Sequence, residues 1–139
     1  MNIKVFSQQN IEKYAKQNHD IPTLLISITA RDAKRANVYP NQINNIKNIL
    51  FLVFDDTDNK ITGIQTKDAQ RIKTFLDNNI SKWNIENILV NCNAGQSRSA
   101  GVAAALMYYF NENDKPIFDN PMYKPNMLCY RTVLNELFN

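Results

Sequence analysis

One segment constrains the possible fold of this chain more than any other, because it joins an apolar stretch, a short polar loop and a run of small residues. Ile88, Leu89 and Val90 precede the loop, and residues 99–110 (Ser-Ala-Gly-Val-Ala-Ala-Ala-Leu-Met-Tyr-Tyr-Phe) follow it. The first stretch is typical of a strand and the second of a buried helix. The segment therefore predicts a strand, a tight loop and a helix N-terminus, with a thiol, Cys92, at the end of the strand.

The loop itself, residues 91–99, reads Asn-Cys-Asn-Ala-Gly-Gln-Ser-Arg-Ser. A loop of this kind points backbone N–H groups into one concavity, and the dipole of the following helix adds positive potential there. Cys92 should ionise more easily in that field than a free thiol, and the thiolate is the nucleophilic form. Arg98 supplies a planar guanidinium that fits two phosphate oxygens. The loop therefore predicts a site that holds a phosphate group and attacks it.

These residues resemble the Cys-x5-Arg-Ser/Thr loop of the cysteine-dependent protein tyrosine phosphatases, and the Ala-Gly-x-Ser-Arg-Ser wording is most similar to the small dual-specificity branch. The resemblance implies that Cys92 attacks phosphorus and forms a phosphocysteine intermediate. Arg98 would bind the equatorial oxygens, and Ser99 would assist release of the thiolate. The backbone amides of the loop would hold the phosphate, namely those of Asn93, Ala94, Gly95, Gln96, Ser97 and Arg98.

One position departs from the pattern of this family. A histidine usually stands directly before the cysteine, where it orients the loop and favours the thiolate, and Asn91 stands there in this chain. Asparagine can donate and accept hydrogen bonds but carries no charge. We therefore expect a thiolate that is less favoured than in the family, and an enzyme that is slower or shifted to higher pH.

The reaction also needs an acid, because attack by a thiolate expels an alkoxide or phenoxide that a carboxylic acid should protonate. The resemblance implies that this acid comes from a mobile loop that follows a strand upstream of the cysteine. Here that loop offers Asp55, Asp56 and Asp58. Asp56 fits the dual-specificity pattern best, by its distance past the strand and before the next helix. Asp55 and Asp58 stay open as alternatives, and at least one of the three is expected only to cap the strand end or to form a turn.

Length and composition narrow the class of protein. The chain has 139 residues, of which 44% are hydrophobic and 21% charged, and this indicates one globular domain over residues 1–139. A net charge of +3 does not by itself imply nucleic acid. The N-terminus has no secretory apolar core and no run is as long as a membrane span, so we expect a cytoplasmic protein without a membrane partner. One histidine, His19, and two widely separated cysteines predict no metal site, and the resemblance implies no cofactor.

Strand and helix patterns alternate along the chain, which predicts an α/β fold with a central, mostly parallel sheet flanked by helices, as in the small dual-specificity phosphatases. The run at 48–54 is apolar almost continuously, which favours a strand covered on both faces. Residues 31–48 are expected to be irregular or partly helical, and Cys129 to lie in the core. The predicted strands cover residues 3–6, 23–29, 48–54 and 85–90. The predicted helices cover residues 8–17, 67–80 (capped by Thr66), 99–110 and 126–138.

The loop thus predicts a phosphate monoester hydrolase, and the resemblance implies that it acts on phosphotyrosine, and also on phosphoserine or phosphothreonine, in a protein or peptide. Two alternatives stay open: a phosphatase of a non-protein phosphate (an RNA 5′ end, a phosphoinositide or a metabolite), and a pseudophosphatase that binds phosphate without turnover. The lipid and RNA branches carry extra basic residues in the loop, whereas Asn93, Ala94 and Gln96 are neutral. A sulfurtransferase or arsenate reductase is disfavoured, because the loop length and Ser99 fit phosphatases better. The oligomeric state stays open.

Overall fold

The computed structural model describes all of residues 1–139 and contains four strands and five helices. The strands lie in one sheet in the order β1-β4-β2-β3, and every neighbouring pair is parallel. This confirms the α/β fold with a parallel sheet flanked by helices. In chain order the elements are β1 (Asn2–Ser7), α1 (Gln8–Ala15), β2 (Thr23–Thr29), β3 (Ile46–Val53), α2 (Thr66–Trp83), β4 (Asn87–Cys92), α3 (Arg98–Asn111), α4 (Lys115–Phe118) and α5 (Met127–Leu137).

The central strands β2 and β4 are buried along their whole lengths, and they separate two hydrophobic clusters. The larger cluster has 28 residues and joins the sheet to α2, α3 and α5; the smaller has 6 and joins it to α1. Successive side chains of a strand point to opposite faces. Accordingly Val90 and Cys92 belong to the larger cluster and Leu89 to the smaller one. The thiol of Cys92 therefore lies on the side of the sheet that α3 covers.

The strand β3 differs from the expectation of coverage on both faces. It is the edge strand, and its only buried residues are Ile46, Leu50 and Leu52. Val53 is 55% exposed, and the guanidinium of Arg35 lies 4.2 Å from the ring centroid of Phe51. The apolar run reflects a strand with one face on the large cluster and the other face only partly covered. The expectation was wrong because the run does not encode the strand's place in the sheet.

The helix starts agree with the sequence at one of three places. Ser7 Oγ accepts a hydrogen bond from the backbone N–H of Asn10 at 3.1 Å, as an N-cap should. The cap of α2 is Gln65 rather than Thr66, because Asp68 Oδ2 reaches back to the N–H of Gln65 at 2.8 Å. The N-cap of α5 is Asn126, so the helix begins one residue later than predicted.

Two connections carry structure that the sequence patterns did not specify. Residues 30–45 form no helix, but Ala36 and Val38 are buried in the smaller cluster and hold the segment against α1. The polar connection after α3 contains the short helix α4, whose single turn includes Pro116 and is too short to show a periodicity. No helix combines the length and the apolar composition that crossing a membrane requires.

Candidate active site

The Cys92 loop (residues 92–99) leaves the C-terminal end of a central strand and enters α3, where the carboxyl ends of parallel strands open into a crevice. Gly95 turns the loop with a φ of 70°, in the left-handed region. The carbonyl of Asn93 accepts a hydrogen bond from the N–H of Gln8 at 3.1 Å, at the start of α1. The first half of the loop is therefore fixed against the end of β1.

The carbonyls of the second half of the loop are also held, whereas its N–H groups are free to bind a ligand. Gln96 O accepts from the N–H of Lys124 at 2.9 Å, and Ser97 O accepts from the N–H of Asn126 at 3.0 Å. No backbone carbonyl accepts a hydrogen bond from the N–H groups of Asn93, Ala94, Gln96, Ser97 and Arg98. Several free N–H groups at the N-terminus of a 14-residue helix form an anion-binding arrangement.

Cys92 is the thiol that this environment activates. It is 2% exposed, and Ser99 Oγ lies 3.0 Å from its Sγ. Burial raises the pKa of Cys92, but the Ser99 hydroxyl, the N–H groups of Ser99 and Gly95 and the charge of Arg98 outweigh it, so the pKa lies below its ordinary value. Burial raises the pKa of Cys129 far above its ordinary value, and that residue is a core residue, as predicted. Of the two cysteines, Cys92 is the one suited to act as a nucleophile.

Arg98 is a buried cation without a carboxylate partner. It is 7% exposed, and the ion pair between Arg31 and Asp55 is the only one in the structure. Its Nη1 donates to the carbonyl of Phe54 at 3.0 Å, and its Nε has no hydrogen-bond partner in the protein. A buried, uncompensated charge is costly, so the arrangement is best explained by an anion that binds there.

The three acids of the loop at residues 55–63 (the acid loop) have different surroundings. Asp56 Oδ1 accepts hydrogen bonds from Ser97 Oγ at 2.8 Å and from Asn126 Nδ2 at 3.0 Å, so this carboxylate lies at the Cys92 loop. Asp55 instead pairs with Arg31, whose Nη2 lies 3.2 Å from Asp55 Oδ2. Asp58 is exposed, and its side chain makes no hydrogen bond. The role of Asp56 as the acid stays a prediction, which this geometry favours.

Sequence reasoning missed two groups at this site, the carbonyl of Phe54 and the side chain of Asn126. Neither belongs to the motif, since Phe54 is the apolar residue directly after β3 and Asn126 precedes the last helix. An asparagine directly before an apolar helical run is an N-cap signal, and this signal locates Asn126 at a helix start. It does not indicate that the same side chain contacts Asp56.

Asn91 is fully buried, and neither its amide nitrogen nor its amide oxygen has a hydrogen-bond partner in the protein. It alternates with Cys92 along β4, so its side chain lies on the opposite face of the sheet. Ser27, its register partner on β2, has a buried hydroxyl that is equally without a partner. The pKa of Cys92 is thus lowered by the loop itself, through groups that do not include Asn91.

The buried amide of Asn91 and the buried hydroxyl of Ser27, which lack hydrogen-bond partners, lead to a prediction about stability. Asn91→Leu should raise the free energy of unfolding by about 1–3 kcal/mol, because a buried amide without a partner is replaced by an apolar group of the same branched shape. Urea unfolding of the variant and the wild type measures the difference. Ser27→Ala should act in the same direction with a smaller effect. A lower stability of Asn91→Leu would show that the amide is satisfied in the native protein.

Two large grooves lie away from this site. One of about 640 Å³ runs between β3 and α2 and is lined by Lys67, Arg71 and Lys82 among others; another of about 710 Å³ is lined by residues that include Tyr108 and Phe138. No residue of the Cys92 loop lines either of them. Nowhere do three or more His, Cys, Asp or Glu side chains lie together as metal ligands would. The site is therefore identified by its chemistry and not by its volume.

Comparisons with known proteins show which solved structures share this fold. No protein-family model matches the chain, and no curated protein sequence matches it. Among solved structures, Cydia pomonella PTP-2 phosphatase is 15% identical with a TM-score of 0.65, over 97% of this chain and 85% of that one. Human DUSP28 is 11% identical with a TM-score of 0.58, over 98% and 91%. Human tyrosine phosphatase-like serine/threonine/tyrosine-interacting protein is 22% identical with a TM-score of 0.52, over 81% and 74%.

These likenesses extend over most of each chain, and the shared architecture is the parallel sheet with helices on both faces. The chain therefore has the fold of the cysteine-dependent protein tyrosine and dual-specificity phosphatases.

Proposed function

We propose that this protein is a cysteine-dependent phosphatase that hydrolyses phosphate monoesters. The observation that carries the proposal is the buried guanidinium of Arg98, which has no carboxylate partner and adjoins a cysteine whose pKa is lowered. A phosphate dianion would compensate that charge and accept hydrogen bonds from the free N–H groups of the Cys92 loop. The fold, which phosphatases share, supports the same conclusion.

The geometry supports a two-step reaction. In the first step the thiolate of Cys92 attacks phosphorus, the bond from phosphorus to the leaving oxygen breaks, and Asp56 gives its proton to that oxygen. In the second step a water molecule attacks phosphorus and gives its proton to Asp56, while the sulfur–phosphorus bond breaks. The hydroxyl of Ser99, at 3.0 Å from Sγ, donates to the departing thiolate, and Arg98 holds the equatorial oxygens throughout.

The proposed substrate is a phosphorylated protein or peptide, with phosphotyrosine first and phosphoserine or phosphothreonine in addition. The neutral side chains at Asn93, Ala94 and Gln96 support a monoester over a polyanionic ligand. The basic residues after β2 do not add a strong second anion site, because Arg31 is paired with Asp55 and Arg35 lies over Phe51. A cytoplasmic location would keep the thiol reduced.

The test is hydrolysis of para-nitrophenyl phosphate across pH with EDTA present, followed by acid quench and mass spectrometry of the peptide that contains Cys92. Turnover with a phosphate on Cys92 supports the proposal. Binding of vanadate without turnover in folded protein would overturn it in favour of a pseudophosphatase. A panel of phosphotyrosine peptide, phosphoserine peptide, 5′-triphosphorylated RNA and phosphoinositide then tests the substrate class, and faster turnover of either of the last two would contradict the protein substrate.

The assignment of the acid gives a separate prediction. Asp56→Asn should lower kcat for phenyl phosphate about 100-fold, because its poor leaving group needs a proton, and the fall in rate at high pH should disappear. Steady-state kinetics across pH measures both effects. Asp55→Asn is the matched control, because it breaks the pair with Arg31 and leaves Asp56 in place. If Asp55→Asn shows the larger loss and the altered pH profile, the acid is one residue earlier.

A further inference from the structure

Asn126 joins the acid loop to α5 through one side chain. Its Nδ2 donates to Asp56 Oδ1 at 3.0 Å and to the carbonyl of Thr57 at 3.1 Å, both in the acid loop. Its Oδ1 accepts from the N–H of Cys129 at 2.9 Å and so caps α5. The amide group thus uses its oxygen for the helix and its nitrogen for the acid loop.

The backbone of Asn126 is fixed as well. Its N–H donates to the carbonyl of Ser97 at 3.0 Å, in the Cys92 loop. Its carbonyl packs so closely on α3 that a Cβ added to Gly101 would lie 2.3 Å from that oxygen. The side chain that donates to Asp56 is therefore attached to a backbone that is held against the Cys92 loop on one side and against α3 on the other.

These contacts decide which oxygen of Asp56 can carry a proton. Oδ1 accepts two hydrogen bonds, from Ser97 Oγ and from Asn126 Nδ2, so its lone pairs are used. The acidic proton then belongs on Oδ2. Without the amide of Asn126 the exposed carboxylate would keep a single donor, and the acid loop would lose its contact at Thr57. General acid catalysis depends on this orientation, since the proton must be within hydrogen-bond reach of the leaving oxygen.

We propose that Asn126 is a positioning residue that holds the acid loop on the Cys92 loop and orients Asp56 so that Oδ2 faces the leaving group. The proposal rests on the phosphatase function proposed above. The start of α5 then takes part in acid catalysis, because the N-cap residue of this helix also sets the position of Asp56.

The test uses Asn126→Ser, since serine is as good an N-cap as asparagine but lacks the amide nitrogen. We expect kcat for phenyl phosphate to fall about tenfold, whereas kcat for 2,4-dinitrophenyl phosphate, which needs no proton on its leaving group, should change less than about twofold. In an Asp56→Asn background, Asn126→Ser should cause no further loss. Equal losses on both substrates, or a full further loss in that background, would show a merely structural role.

A second measurement does not depend on turnover. Hydrogen–deuterium exchange of residues 55–63 should be faster in Asn126→Ser than in the wild type, while the exchange of α5 stays unchanged because its cap is kept. Unchanged exchange in the acid loop overturns the proposal whatever the activity. If the wild type shows no hydrolysis that depends on Cys92, the proposed function fails, and the exchange experiment still decides whether Asn126 holds the acid loop.

Discussion

Replacing Cys92 with serine should abolish hydrolysis of para-nitrophenyl phosphate, with a loss of about 10⁴-fold or more. The hydroxyl of serine is not ionised near neutral pH, whereas the hydrogen bonds from Ser99 and Gly95 and the charge of Arg98 favour the thiolate of Cys92. Binding of phosphate or vanadate should persist in Cys92→Ser, because Arg98 and the free N–H groups of the loop remain. Steady-state kinetics together with a phosphate-binding titration separates the two effects.

The second cysteine provides the matched control. Cys129→Ser should keep most of the activity, because that thiol is buried in the core and its pKa is raised by burial. Alkylation with iodoacetamide tests the same difference without substrate, since only the thiolate reacts. A lowered pKa moves the rise of alkylation with pH to lower pH, so Cys92 should be modified below the pH of an ordinary thiol and Cys129 should resist modification. Activity that survives in Cys92→Ser but is lost in Cys129→Ser would contradict the proposed mechanism.

The Cys92 loop could be predicted from the sequence because all of its residues lie in one short segment. Cys92 and Arg98 belong to one loop, and the flanking patterns for a strand and a helix fix where that loop lies. The strand at Thr23–Thr29 was predicted to the residue, since β-branched and apolar residues fill it between clear breaks. Fold class followed from the alternation of elements, and the structural likenesses confirm it.

The remaining features depend on contacts between distant segments. The position of β3 at the edge follows from the order of strands, which no single run of residues encodes. Two neighbouring residues, Gln65 and Thr66, could each cap α2, and the reach of Asp68 decides between them. The contact between Asn126 and Asp56 joins residues on either side of α2, β4 and α3. A capping signal in the sequence predicts where the helix starts. It does not predict what the amide nitrogen of Asn126 binds once the amide oxygen caps the helix.

Gly95→Ala should damage both the fold and the site, with a loss of about 2–4 kcal/mol in the free energy of unfolding. Gly95 has a φ of 70°, which is costly for alanine, and an added Cβ would lie 2.6 Å from Ser7 N and 2.7 Å from the carbonyl carbon of Phe6. Both neighbours are backbone atoms of the last two residues of β1, so neither can rotate away. Relief requires the Cys92 loop to move off the end of β1.

That movement should be visible in catalysis before the protein unfolds. The N–H of Gly95 is one of the donors that lower the pKa of Cys92, so a displaced loop should raise the pKa of the thiol and shift its alkylation to higher pH. Urea unfolding and pH-dependent alkylation of Gly95→Ala measure the two effects, with Gln96→Ala as a control in the same loop at an exposed position. Gly95→Ala could instead match Gln96→Ala in its free energy of unfolding and in the pKa of Cys92. That result would show that the Cys92 loop is not packed against β1, and that its N–H groups are not held in the positions that support phosphate binding.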